Sequence, residues 1–128
     1  MYSEKRQFGN KGEDIACLFL TKHGFTILER NYLKKWGEID IVAQKEGRLR
    51  FIEVKSAKES FDAVPHVTST YRPEDNVHPG KLRRLFRTIE SYLMDKGVDC
   101  DWQIDIMTVK IDEAAGKAKV EIIENIAG

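Results

Sequence analysis

The sequence predicts an α/β domain, a mixed central sheet flanked by helices, with its elements in the order α-β-β-β-α-β-β. Three observations predict it. Two stretches, at about 10–23 and 81–96, carry apolar residues at helical spacing and are each followed by a glycine. Between them, two runs alternate apolar and polar residues around a Gly-containing turn, the pattern of an antiparallel hairpin. After the second helical stretch come two more strand-like runs separated by a polar turn. The chain has 128 residues, the size of one domain, so 1–128 is read as a single unit.

Taken in order, residues 1–10 are polar and read as a frayed lead-in or an early helical turn. From Asn10 to His23, Ile15, Ala16, Leu18, Phe19 and Leu20 cluster at helical spacing, and Gly24 supplies the C-terminal stop. Phe25 to Leu33 reads as a strand. The hairpin follows, Gly37 to Lys55, and after it a stretch of irregular pattern, Ser56 to Gly80, which holds all three prolines. A loop of that length inside a compact domain is uncommon and usually functional or disordered; within it, Val64 to Tyr71 fits a short strand. Lys81 to Lys96 is an amphipathic helix with Leu82, Leu85, Phe86, Ile89 and Leu93 as its buried stripe. Strands are expected at Trp102–Ile111 and Lys119–Ile123.

The hairpin carries the chemistry. A two-residue loop at Glu46-Gly47, or a four-residue loop from Lys45 to Arg48, sets paired positions that sum to 93. Asp40 then opposes Glu53, and Glu38 opposes Lys55. Ile39, Ile41, Ile52 and Val54 are expected on one face and the four charged residues on the other. Directly opposed side chains lie roughly 4.5–5.5 Å apart at Cβ, where like charges destabilise. Two carboxylates at about 4 Å repel by about 1 kcal/mol in water and about 4 kcal/mol near a protein surface. A divalent cation reverses the sign of that repulsion, and hard cations such as Mg²⁺ bind through one or two carboxylates plus waters and phosphate oxygens.

Composition excludes several classes. The 21 basic and 21 acidic residues give zero formal net charge, so nucleic-acid binding has to be argued from local clusters. Cys17 and Cys100 make neither a disulfide framework nor a metal-ligand pair, and His23, His66 and His78 show no ligand spacing. The N-terminus has no apolar signal region and no run approaches a membrane span, so the expected location is cytoplasmic, away from any membrane.

Asp40, a twelve-residue gap and then Glu53-Val54-Lys55 match the D…(D/E)-x-K core of restriction-endonuclease-like nucleases. A wider set is more specific: Gly12-Glu13-Asp14-Ile15-Ala16, Asn31-Tyr32, Gly37-Glu38-Ile39-Asp40, Phe51-Ile52-Glu53-Val54-Lys55 and Lys81-Leu82-Arg83-Arg84-Leu85. In that order these segments resemble the YraN-like endonuclease family (uncharacterised protein family 0102), whose members are similar to archaeal Holliday-junction resolvases. The resemblance spans roughly residues 9 to 110; the connection 56–80 departs from the family's usual short link. It implies a restriction-endonuclease-like fold, a Mg²⁺- or Mn²⁺-dependent endonuclease acting on DNA, branched or structured DNA as substrate, and a homodimer.

Each site residue has a plainer reading beside the functional one. Asp40 and Glu53 are expected metal ligands rather than ordinary strand acids, because aspartate is depleted in strands and an unpaired glutamate in a buried strand is costly. Lys55 shares Glu53's face and is expected to assist at the phosphate, or to pair with Glu38. Glu13 is implied as a third ligand by the resemblance; the spacing Asn10-x-x-Glu13 alternatively suits a helix capping box. Glu38 either contacts the metal's water shell or pairs with Lys55, and Asp105 reads as structural. Lys81, Arg83, Arg84 and Arg87 on one helix, and Lys34-Lys35-Trp36 before the hairpin, are either solvated faces or phosphate-backbone contacts, with Trp36 able to stack on a base. Two other function classes remain open: an inactive nucleic-acid-binding module with this fold, and a scaffold protein using 56–80 as its interface.

Overall fold

The computed structural model describes residues 3–61 and 79–126. Its elements are α1 (Glu4–Lys22), β1 (Thr26–Lys34), β2 (Gly37–Lys45), β3 (Arg48–Lys58), α2 (Pro79–Lys96), β4 (Trp102–Asp112) and β5 (Lys117–Ile123). The five strands form one mixed sheet in the order β1-β2-β3-β4-β5. All neighbours are antiparallel except β3 and β4, whose parallel pairing follows from the crossover through α2. This is the α-β-β-β-α-β-β order expected from the sequence. Among the described residues no helix is long and apolar enough to cross a membrane.

The sheet has a hydrophobic core on each side. Ala16 and Leu20 of α1 cover Ile41, Ala43, Ile52, Met107, Val109 and Ile111. Leu85, Ile89 and Tyr92 of α2 cover Tyr32, Val42, Phe51 and Ile104. With both faces covered, β4 is buried from Gln103 to Val109 and β3 from Leu49 to Ile52, although both strands carry polar side chains among the apolar ones.

Several boundaries differ from the sequence reading. Helix α1 starts at Glu4, two turns before Asn10, so of the two readings of residues 1–10 the early helical turn holds; the Ser3 hydroxyl accepts the Arg6 N–H at 3.2 Å and caps it. Asn10 is therefore inside the helix, and the Asn10–Glu13 capping box is excluded. Strand β3 runs on through Lys58, which removes Ser56–Lys58 from the expected loop. The strand expected at 64–71 lies outside the described residues.

The hairpin register is the expected one. Ile41 pairs with Ile52 and Lys45 with Arg48, leaving Glu46 and Gly47 as a two-residue turn with φ of 53° and 75°. Two face assignments are corrected: Ile39 lies not with Ile41 but in the core under α2, and Glu38 turns toward α1. The cause is on the neighbouring strand. Asn31 adopts a left-handed φ of 53°, tolerated by asparagine, and the β1–β2 pairing skips from Arg30↔Ile41 to Tyr32↔Ile39. Arg30 points to α1, while Tyr32 packs under α2. Both strands exchange faces at Asn31 and Asp40.

Two glycines hold the helices close to this point. A Cβ on Gly12 of α1 would overlap the Ser56 side chain of β3. A Cβ on Gly37 would lie 2.6 Å from Thr88 Oγ1 and 3.3 Å from the Arg84 carbonyl of α2. Gly12→Ala is expected to destabilise by about 1–3 kcal/mol, the usual cost of overpacking. Chemical denaturation checks it, and combining it with Ser56→Gly should cost less than the sum of the two single changes.

Candidate metal centre

The site lies where the central ladder stops. Pairing between β2 and β3 ends at Ile41↔Ile52. Beyond that, β2 continues only against β1, to Gly37, and β3 only against β4, to Lys58. Asp40 sits at the mouth of this slot, and its Oδ2 accepts the Val54 N–H at 2.8 Å in place of a strand carbonyl. That bond anchors the carboxylate to β3 and satisfies a backbone donor the broken ladder would leave unmet.

The face exchange decides which acids meet. In an unbroken strand Glu38 would stay on the Glu53 side. Here it turns to α1, and Glu13, Glu38 and Asp40 each present a ligand atom within 4.8 Å of the others. The Asn31 amide, its nitrogen turned toward the acids, donates to Glu13 Oε1 and Glu38 Oε1 at 3.0 Å each. Arg30 lies 3.7 Å from Glu13 and 2.8 Å from Asp14.

Glu53 lines the same slot from the α2 side, in a cleft of about 260 Å³ with Gly37, Glu38, Asp40, Lys81, Arg84 and Leu85. Its Oε1 is ion-paired with Lys55, at 3.1 Å, and with Lys81. Lys55 thus turns to Glu53 on its own strand, not across to Glu38. Of the four acids, the three within mutual reach are Glu13, Glu38 and Asp40, and Glu53 stands beside them with two ammonium groups.

Like charge and burial act together on these groups. Burial pushes the Asp40 carboxyl up to about 7, the Val54 N–H opposes the rise, and Glu13, Glu53 and Glu38 add to it. Glu13 is also raised, mainly by burial, against the pull of Arg30. Oxygen donors of one charge, gathered where water is partly excluded, suit a hard divalent cation. The residues present therefore fit Mg²⁺ or Mn²⁺.

The basic residues divide. Lys81, Arg84, Leu85 and Thr88 share one face of α2, so Lys81 points into the cleft and not out to solvent as expected. Arg83 and Arg87 are exposed, and the Arg87 guanidinium lies 4.0 Å from the Trp36 ring centroid, occupying one face of that ring. Lys34 pairs with Asp95 at 2.9 Å, and Lys35 is exposed. Asp105 is fully buried and holds structure together, accepting from Gln103 Nε2 and the Asn125 N–H with Arg50 beside it. Sequence reasoning missed Asn31 as a site residue and the inward turn of Lys81; the signal for Lys81 is its position four residues before Leu85 on the buried stripe.

The model of uncharacterised protein family UPF0102 matches residues 12–109, which include all four acids and both lysines. The chain belongs to this family. A UPF0102 protein of Sulfurovum sp. (strain NBC37-1) is 43% identical over 120 residues, covering 93% of this chain and 92% of that protein. One from Helicobacter pylori (strain HPAG1) is 41% identical over 124 residues, covering 97% and 94%. One from Campylobacter fetus subsp. fetus (strain 82-40) is 35% identical over 120 residues, covering 94% and 93%.

The perturbed Asp40 has a consequence for stability. Its carboxyl binds a proton more tightly in the folded chain than in the unfolded one, where the ordinary value is 3.8. The stabilisation is full below about pH 4 and is lost as pH rises toward 7, at up to about 1.4 kcal/mol per pH unit. In chelator, the metal-free protein is therefore expected to lose stability between about pH 5 and 7. Asp40→Asn, which keeps an acceptor for Val54, should flatten that slope and be the more stable protein at about pH 8. Denaturant titrations across this range check both.

Proposed function

We propose that this UPF0102 protein is a metal-dependent endonuclease that hydrolyses DNA phosphodiester bonds. One observation carries the reading: Glu13, Glu38, Asp40 and Glu53 converge with Lys55 and Lys81 in one slot at the end of the central ladder. Glu13, Glu38 and Asp40 would hold Mg²⁺ or Mn²⁺, which would supply Lewis acidity to the phosphodiester.

The protein's own groups account for the rest. Lys55 and Lys81 present two ammonium groups toward the charge that grows on the phosphoryl oxygens. Glu53 holds both lysines at the slot in the free protein, and an entering phosphate competes with it for them. Asp40 is fixed by Val54, so its carboxylate does not reorganise when substrate arrives. Arg84 at the cleft wall, with Lys35, Arg83 and Arg87 outside it, suits sequence-independent contact with a phosphate backbone. The sequence motifs' resemblance to a family similar to resolvases extends the proposal to branched or structured DNA and to a homodimer that brings two sites to one junction.

A second reading, a nucleic-acid binder without activity, is favoured by the two lysines already engaged on Glu53. Cleavage assays on duplex, flap and four-way DNA with Mn²⁺ separate the two. The nuclease reading expects cutting by the wild type, background levels for Asp40→Asn, and a loss of about 10²–10³ in rate for Lys55→Ala. If the wild type and both variants bind every substrate and leave it uncut, the binder stands.

A further inference from the structure

The acidic triplet separates two clefts. On the α2 side is the cleft with Lys81 and Arg84 on its wall. On the α1 side is a second cleft of about 410 Å³, whose lining includes Lys5, Arg6, Glu13, Asn31 and Glu38. Glu38 lines both, so the two meet at the candidate metal centre.

Charge alternates along this line: Lys5 and Arg6 on the first turn of α1, then Glu13, Glu38 and Asp40, then Lys81 and Arg84 on the first turns of α2. A phosphodiester strand has a charge pattern complementary to this arrangement once a cation covers the acids. Its flanking phosphates would meet Lys5 and Arg6 on one side and Lys81 and Arg84 on the other, with the phosphate between them at the acids that would hold the cation.

We propose that Lys5 and Arg6 form the second bank of the substrate surface, so that a continuous nucleic-acid strand crosses Glu38 from the α1 turn to the α2 turn. The sequence reading assigned this segment no function; as the capped first turn of α1 it becomes a wall beside the site. The inference rests on the nuclease reading for the class of its ligand. It differs from that reading in locating half of the binding surface on α1.

The test is salt-dependent binding of a labelled oligonucleotide in Ca²⁺, with cleavage in Mn²⁺ followed in parallel. Each phosphate contact contributes about 0.7–0.9 to the slope of log K against log salt concentration. Lys5→Ala/Arg6→Ala is expected to lower the slope by about 1.4–1.8, with Lys5→Glu/Arg6→Glu weakening binding further. Lys22→Ala/Lys117→Ala, at the far end of α1 and at the start of β5, should leave the slope unchanged. The Mn²⁺-induced rise in melting temperature should be the same in all of these variants, which separates lost substrate contact from a damaged metal centre. A slope unchanged in both Lys5/Arg6 variants, with a wild type that binds and cuts, overturns the α1 bank and leaves the nuclease reading standing. A wild type that binds no oligonucleotide at any salt concentration overturns both.

Discussion

The structure turns on one substitution of bonding partners. Asp40 takes the Val54 N–H with its side chain at the point where the β2–β3 ladder ends. A backbone pair there would have closed the sheet and kept Glu38 on the Glu53 side. Instead the strands part company, each held by its outer neighbour, and the left-handed Asn31 lets β1 and β2 exchange faces at the same level. An acid from β2 thereby meets an acid from α1, while Glu53 stays with the lysines.

The surrounding packing serves this arrangement. Gly12 lets α1 lie against β3 at Ser56, which sets Glu13 over the slot; Gly37 does the same for α2, which sets Lys81 and Arg84 at its other wall. Two helices on opposite faces of one sheet can contribute to a single site only because the sheet is open between β2 and β3. The cost appears in Asp40, whose carboxyl is pushed up to about 7 by burial and by its acidic neighbours. Acids crowded in this way, only partly offset by the Val54 N–H, Arg30 and Asn31, mark a functional-site candidate that an external cation would suit.

Much of this was legible in the sequence, and the reasons for the rest are local. The hairpin register followed from alternation and a Glu46-Gly47 turn, so the proximity of Asp40 and Glu53 was readable. The face exchange was not, because a period of two carries no mark of where it breaks; the one signal was Asn31, a residue that tolerates positive φ. The start of α1 was only half legible, as an early helical turn or a lead-in, because residues 4–10 are mostly polar and a solvated first turn shows no apolar stripe; Ser3, a good N-cap, was the available sign. Lys81 was placed on the exposed side by its charge, although its spacing to Leu85 puts it on the buried one. Family membership, by contrast, rested on motifs that the family match spans.

The central claim is that Glu13, Glu38 and Asp40 form a cation site. Thermal denaturation under increasing Mn²⁺ tests it most directly, with wild type, Asp40→Asn and Glu38→Gln compared at neutral pH. A bound cation stabilises the fold by about 2.7 kcal/mol at about one hundred times its Kd. The account predicts a melting temperature that climbs with Mn²⁺ in the wild type and stays flat in both variants. A wild type indifferent to Mn²⁺, or variants that respond as it does, would contradict it.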